Sequence, residues 1–148
     1  MMREESYSVG LVIPTLNAES LIGHLLETIR TQTIKPREII VIDSSSDDRT
    51  VKISKEAGAT VIVIPRSEFD HGGTRHTAFL QTTTDFVLFL TQDALPANDE
   101  YIEQILKPFD DGKVAMVTGR QIPRTDARSY EKLVRQFNYP DRSFVRDI

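Results

Sequence analysis

The stretch IIVIDSSSDDRT, residues 39–50, decides the fold of this chain. Its first four residues are a continuous apolar run, which is typical of a central strand of a parallel sheet, buried on both faces. The run stops at Asp43, and all six residues from Asp43 to Asp48 are aspartate or serine. Because a turn needs only one or two polar residues, this excess predicts that a ligand binds at the end of the strand.

Similar apolar runs recur along the chain and alternate with helical patterns. Apolar residues between positions 21 and 29 recur at helical spacing, and Asn17 is expected to cap this helix, which should begin near Ala18. Asp48 and Gly58 are expected to cap and to end a second helix. The sequence predicts five strands, in SVGLVIP, REIIVID, ATVIVIP, DFVLFL and KVAMVTGR, and further helices in TRHTAFLQTT, NDEYIEQILKPF and residues 129–137.

Strands that alternate with helices of about ten residues predict an α/β fold with right-handed crossovers. We therefore expect a Rossmann-like, mostly parallel sheet with helices on both faces, formed as a single domain over residues 1–148. The chain stops at DRSFVRDI without a closing element. We expect it to be an N-terminal fragment of a longer protein.

The composition of the chain argues against a membrane-spanning segment and against a nucleic-acid partner. The chain has no cysteine, a net charge of -4, and apolar runs far too short to span a bilayer. Its first eight residues, MMREESYS, do not resemble a signal peptide. We expect a cytoplasmic protein without an integral membrane segment and without a nucleic-acid partner, since phosphate backbones need a basic face. A basic stretch from Arg120 to Arg146 is interpreted as a solvated helix face.

The segments that follow the predicted strands carry the candidate chemistry, because ligands of open parallel sheets bind beyond the carboxyl ends of the strands. They supply carboxylates, small hydroxyls, glycines and arginines, which suit a polar heterocycle joined to a diphosphate. A carboxylate with Mg²⁺ or Mn²⁺ can hold such a diphosphate. No G-x-G-x-x-G follows the first strand, and no P-loop is present. The segments are PTLN, DSSSDD, PRSEFDHGGTR, TQDALP and GRQIPR.

These segments and the strands before them resemble family 2 glycosyltransferases of the GT-A fold. VIPTLNAESLIGHLLETIRTQT, IIVIDSSSDDRT and DFVLFLTQDALP are similar to the three opening blocks of that family, and HGGTR and GRQIPR are similar to its rhamnosyltransferase-like group. The resemblance covers residues 9–139. It implies that the residues binding the nucleotide sugar are Pro14, Thr15, Asn17, Asp43, Ser44, Ser45, Arg75, Gln92 and Asp93.

The resemblance also implies individual roles. Asp43 matches the aspartate that hydrogen-bonds the pyrimidine, although a turn or capping aspartate is the alternative. Asp93 matches the last aspartate of the family's D-x-D motif and is expected to reach a divalent ion on the diphosphate. Thr91 replaces the first aspartate of that motif, so the affinity of the protein alone for metal should be low. Arg75 is expected near the diphosphate, or else as a surface arginine of a helix.

The family transfers sugars with inversion and uses a later carboxylate as the base. Asp141 and Asp147 lie in no recognisable acidic motif, so the catalytic base is not identified. The implied donor is a dTDP- or UDP-sugar, with activated rhamnose as a candidate, and the implied acceptor is a polysaccharide or a lipid-linked glycan at the inner face of the membrane. A non-catalytic nucleotide-binding domain and a nucleotidyltransferase are the alternatives, the second disfavoured by PTLNAES after the first strand.

Overall fold

The computed structural model describes residues 7–145. Arg146, Asp147 and most of the N-terminal segment MMREESYS lie outside the described residues. The described part contains four strands and five α-helices, with 3₁₀ turns at Arg66–Glu68 and Lys107–Asp110. In chain order the elements are β1 (Val9–Thr15), α1 (Ile22–Arg30), β2 (Glu38–Asp43), α2 (Thr50–Glu56), β3 (Thr60–Val63), α3 (His71–Phe79), β4 (Phe86–Phe89), α4 (Tyr101–Leu106) and α5 (Ser129–Asn138).

The sheet has the order β3-β2-β1-β4, and all of its described pairs are parallel. β1 is central, and all seven of its residues are buried, as its continuous apolar run predicts. The first two crossovers run in one direction along the sheet, whereas the chain leaves β3 and returns on the far side of β1 as β4. The order therefore reverses between β1 and β4, which is the point where open α/β sheets bind ligands.

Two apolar layers cover the sheet, one on each face. On one face Leu11, Ile13 and Val41 pack with the buried row of α1, which recurs at Ile22, Leu25, Leu26 and Ile29. On the other face Val12, Ile40 and Ile42 pack with Ala78 of α3. Helices therefore lie on both faces of a parallel sheet, and the predicted α/β class is confirmed.

The prediction of a fifth strand, in KVAMVTGR, is wrong. Residues 113–120 form no strand, and Met116 is 73% exposed. Their apolar pattern has strand propensity, but a strand exists only where it pairs, and no described ladder includes them. GRQIPR therefore does not follow a strand of the sheet, although the sequence predicted that it would.

The chain divides into two compact units, with the boundary between Gln104 and Ile105. The first unit contains the sheet, and the second contains α5. Within the described residues, no helix has the length and apolar composition needed to cross a bilayer.

The turn after α2 requires a glycine. Gly58 has φ of +82°, as its predicted role at the end of this helix implies. We expect Gly58→Ala to lower the free energy of unfolding by about 1 kcal/mol, because a Cβ disfavours this backbone region. Urea unfolding followed by circular dichroism would measure the change.

Gly23→Ala is the matched control. A Cβ at Gly23 would meet Ile53 Cγ2 at 3.5 Å, an ordinary contact, and the residue lies within α1. This variant should be as stable as the unchanged chain, or more stable by about 0.5–1 kcal/mol. Equal urea midpoints for Gly58→Ala and the unchanged chain would contradict the expectation.

Candidate functional site

The carboxylate of Asp43 joins the ends of the two central strands. Asp43 is fully buried, and its Oδ1 accepts hydrogen bonds from Thr15 Oγ1 at 2.8 Å and from Ser46 Oγ at 2.6 Å. Its Oδ2 accepts one from the Ser46 amide at 2.8 Å. The register places Thr15 directly opposite Asp43. A buried carboxylate persists only with such partners, so Asp43 orders both loops that leave these strands.

The loops after β1 and β2 are tied together by side chain to backbone bonds. The Asn17 amide donates to Ser46 Oγ at 2.8 Å, and Asn17 Oδ1 accepts from the Asp47 amide at 2.9 Å. Asn17 has φ of +49°, a left-handed conformation that asparagine tolerates. The prediction that Asn17 caps α1 is therefore wrong: its side chain serves the neighbouring loop, and α1 begins at Ile22.

The N-cap of α2 is Arg49, which makes no side-chain cap, so the prediction that Asp48 caps this helix is wrong by one residue; Asp48 instead ties the loop before α2 to the loop after β1. Its Oδ1 accepts from the Thr50 amide at 2.9 Å, and its Oδ2 accepts from the Glu19 amide at 3.0 Å. Glu19 in turn accepts from the Arg49 amide at 3.0 Å. Burial raises the pKa of Asp48, but hydrogen bonds from Thr50 and Glu19 outweigh it and hold the pKa below its ordinary value.

Ser45 is the second residue with a left-handed backbone in these loops, with φ of +57°. Its Oγ donates to the carbonyl of Ile64 at 2.8 Å, and its own carbonyl accepts from Arg66 Nη2 at 3.0 Å. Arg66 also pairs with Asp47. These bonds fix an otherwise unfavourable conformation and connect the loops after β2 and β3.

A cleft of about 270 Å³ opens at the carboxyl ends of the strands. Gln92, which follows β4, closes one side of it: its Oε1 accepts from the Leu16 amide at 2.8 Å, and its Nε2 donates to the Leu16 carbonyl at 3.3 Å. This pair spans the point where the strand order reverses. The lining residues are Pro14, Thr15, Leu16, Ser44, Arg66, Phe69, His71, Arg75, Thr91 and Gln92.

The cleft brings together five of the nine residues predicted for the site, namely Pro14, Thr15, Ser44, Arg75 and Gln92. Asp43 lies behind Thr15, to which it is hydrogen-bonded. Asn17 and Ser45 belong to the surrounding loop network, and the exposed Asp93 follows Gln92 outside the lining. Within residues 7–145 no group of three or more histidine, cysteine, aspartate or glutamate residues could hold a metal ion.

Arg75 lies in the second turn of α3 rather than at its start. The helix begins at His71 because the Asp70 side chain caps it, accepting from the Gly73 amide, so the two glycines are helical and not part of a loop. Arg75 Nη1 donates to the His71 carbonyl at 2.7 Å. This bond holds the guanidinium against the helix, and Arg75 is one of the residues that line the cleft.

Two apolar cleft residues, Leu16 and Phe69, were missed from the sequence. They are 42% and 38% exposed and follow β1 and β3. The prediction of site residues favours polar side chains in these segments, and these two residues are apolar. The available signal was a large apolar residue inside an otherwise polar loop at a strand end.

Ser44 differs from its neighbours in the polar stretch. Its residue exposure is 2%, and its Oγ is a buried side-chain atom without a hydrogen-bond partner among the described residues. Its amide donates to the Thr15 carbonyl at 2.9 Å. A buried hydroxyl left without a partner costs about 1–3 kcal/mol, so a polar ligand atom here would be favoured.

A family model described as glycosyl transferase family 2 matches residues 11–147. The chain belongs to this family. The chain is 41% identical over 140 residues to the O-antigen chain rhamnosyltransferase RfbN of Salmonella typhimurium (strain LT2), a match that covers 93% of the chain and 45% of the relative. It is also 41% identical over 141 residues to the O-antigen chain rhamnosyltransferase WbaN of Salmonella anatum, covering 94% and 45%. The predicted family and its rhamnosyltransferase-like group are confirmed. The chain spans about 45% of the length of these relatives.

Solved structures confirm the GT-A fold of this glycosyltransferase chain. Glucosyl-3-phosphoglycerate synthase from Mycobacterium tuberculosis, in complex with Mn²⁺, UDP and glucosyl-3-phosphoglycerate, matches with a TM-score of 0.61 at 23% identity, covering 73% of this chain and 41% of that one. The mannosyltransferase PcManGT from Pyrobaculum calidifontis, in complex with GDP-Man and Mn²⁺, matches with a TM-score of 0.63 at 25% identity, covering 74% and 34%.

The hydrogen bonds that Asp43 accepts from Thr15 and Ser46 should contribute to the stability of the chain. In Asp43→Asn an amide group would replace one carboxylate oxygen, so one donor among Thr15 Oγ1, Ser46 Oγ and the Ser46 amide would face another donor. We expect unfolding to require about 1–3 kcal/mol less free energy, measured by urea titration.

Asp47→Asn on the same loop is the control, since the Asp47 side chain is 78% exposed and pairs with Arg66 at the surface. Its cost should be about 0–1 kcal/mol. If the two variants lost the same stability, the Asp43 carboxylate would not be the group that orders these loops.

Proposed function

We propose that this chain binds the donor of an inverting glycosyltransferase. The donor is a nucleoside-diphosphate sugar, either a dTDP- or a UDP-sugar. The similarity to two Salmonella rhamnosyltransferases supports rhamnose as its sugar. The acceptor is a polysaccharide or a lipid-linked glycan. The enzyme works in the cytoplasm, with peripheral contact at the inner face of the membrane where the acceptor is lipid-linked.

The observation that carries this proposal is the composition and place of the cleft. It lies where the strand order reverses, and its accessible wall is mostly apolar. Two arginines line it together with Ser44, namely Arg75 and Arg66, of which Arg66 also pairs with Asp47. An apolar wall suits a planar heterocycle, and cations suit a diphosphate, so one ligand satisfies both.

At the base end the assigned groups are Thr15, Asp43 and Ser44. A carboxylate has about four acceptor positions, and the three hydrogen bonds to Asp43 leave one on Oδ2. Because Asp43 is fully buried in the free chain, a base N–H would reach that position only after the loop around it shifts on binding. The Ser44 hydroxyl can donate to a carbonyl of the base. Pro14, Asn17 and Ser45 shape the loops around these groups.

At the diphosphate end the assigned groups are Arg75, Gln92 and Asp93. Mg²⁺ is commonly held by one or two carboxylates together with substrate phosphates, so Asp93 alone fits an ion that arrives with the donor. When bound, that Mg²⁺ or Mn²⁺ neutralises charge on the departing diphosphate. Arg75 contributes fixed positive charge to the same end without a metal.

The first experiment is calorimetric titration of the chain with UDP and dTDP. We expect binding of both nucleotides in the presence of Mn²⁺, weakened about 10- to 100-fold by Arg75→Ala, because a charge-assisted bond contributes about 1.5–3 kcal/mol. Arg49→Ala is the control, since this side chain is 74% exposed and pairs with Glu19 outside the cleft lining. Failure of the unchanged chain to bind either nucleotide would refute the proposal.

A second experiment addresses the ion. We expect Mn²⁺ alone to bind weakly, and to raise the affinity of the unchanged chain for UDP at least several-fold because the diphosphate completes its ligands. Asp93→Asn should lose most of that enhancement in calorimetry, whereas Asp99→Asn, which changes another exposed aspartate, should keep it. Full enhancement in Asp93→Asn would remove Asp93 from the ion's ligands.

A further inference from the structure

Two large apolar side chains stand exposed at the cleft. Leu16 and Phe69 line it from the loops after β1 and β3, although neither packs in the two apolar layers of the sheet. An exposed aromatic ring forfeits the burial that stabilises such side chains elsewhere. Their position is therefore explained if a ligand covers them.

Phe69 is held in place on the free chain. Its amide donates to the Arg66 carbonyl at 3.2 Å, which closes the 3₁₀ turn before it. Its ring meets the His71 ring edge-on, with centroids 5.0 Å apart and planes at 77°. The main chain of Phe69 and one side of its ring are thus held while 38% of the residue stays accessible. An oriented, accessible ring is a preorganised surface for stacking.

The backbone of Leu16 is fixed as well. Gln92 binds both its amide and its carbonyl, so the side chain of Leu16 is presented at the cleft by a rigid loop. The polar groups nearby have other uses: Arg66 binds the Ser45 carbonyl and Asp47. Among the cleft residues, Leu16 and Phe69 therefore offer large apolar contact area and little polar chemistry.

We propose that Phe69 stacks on the nucleobase of the donor and that Leu16 adds the apolar contact on the β1 side. This inference rests on the proposed function and specifies which residue receives the base. A base presents a π-face that stacks on aromatic rings whatever its identity, whereas a diphosphate gains nothing from Phe69. Phe69 is accordingly a determinant of affinity for nucleotides over pyrophosphate.

The chain contains no tryptophan, so one substitution creates a unique reporter. Phe69→Trp should change its tryptophan emission when UDP or dTDP is added, and should not respond to pyrophosphate, after correction for nucleotide absorbance. Phe79→Trp is the matched control, because Phe79 is 45% exposed on α3 but does not line the cleft. Its emission should stay constant with all three ligands.

Calorimetry provides the second readout. Phe69→Ala should weaken UDP binding about 10- to 100-fold and leave pyrophosphate binding unchanged. Equal weakening toward both ligands would overturn the inference, since Phe69 would then only support the loop. An unchanged UDP affinity would overturn it too. If the unmodified chain binds UDP while Phe69→Trp emission ignores it, the proposed function stands and this inference fails; if it binds no nucleotide, both fail.

Discussion

The fully buried carboxylate of Asp43 is the interaction on which the site depends. It ends β2 opposite Thr15 and accepts three hydrogen bonds, one from Thr15 and two from Ser46. Without them a charge would be buried alone, at a cost of several kcal/mol. The bonds fix the direction in which two loops leave the sheet, and both loops line or support the cleft. The hydrogen bonds that keep Asp43 stable in the interior therefore also position the loops of the candidate site.

The loop structure explains why the apolar run of β2 is followed by six consecutive aspartate and serine residues. Most of these polar groups bind other groups of the protein: Asp47 pairs with Arg66, Asp48 accepts from the Thr50 and Glu19 amides, and Ser45 and Ser46 bond to neighbouring loops. Only the Ser44 hydroxyl lacks a partner among the described residues of this stretch. Excess polarity at a strand end therefore indicates a structured loop first, and the one group that the loop leaves without a partner is the candidate for contact with a ligand.

The first four strands and the place of the candidate cleft could be predicted because local pattern and topology agree there. β1 and β2 are continuous apolar runs at the centre of the sheet, and the cleft lies where the strand order reverses, the position at which open α/β sheets bind ligands. Prediction failed where a partner decides the outcome. Residues 113–120 have a strand pattern but pair with no strand, and Asn17 has a capping side chain that the Asp47 amide engages instead. Neither partner is visible in local sequence.

The missed residues show what reasoning from polar motifs omits. Leu16 and Phe69 carry no charge and match no catalytic pattern, yet they are the large exposed apolar residues among those that line the cleft. Charged groups attract every anionic ligand alike, because Coulomb attraction depends little on the rest of the molecule. Selection of a nucleotide from other diphosphates needs a surface that recognises the base, and an aromatic ring held by its neighbours provides one at small entropic cost. In this chain the polar residues position the site, and its apolar residues can confer the selectivity.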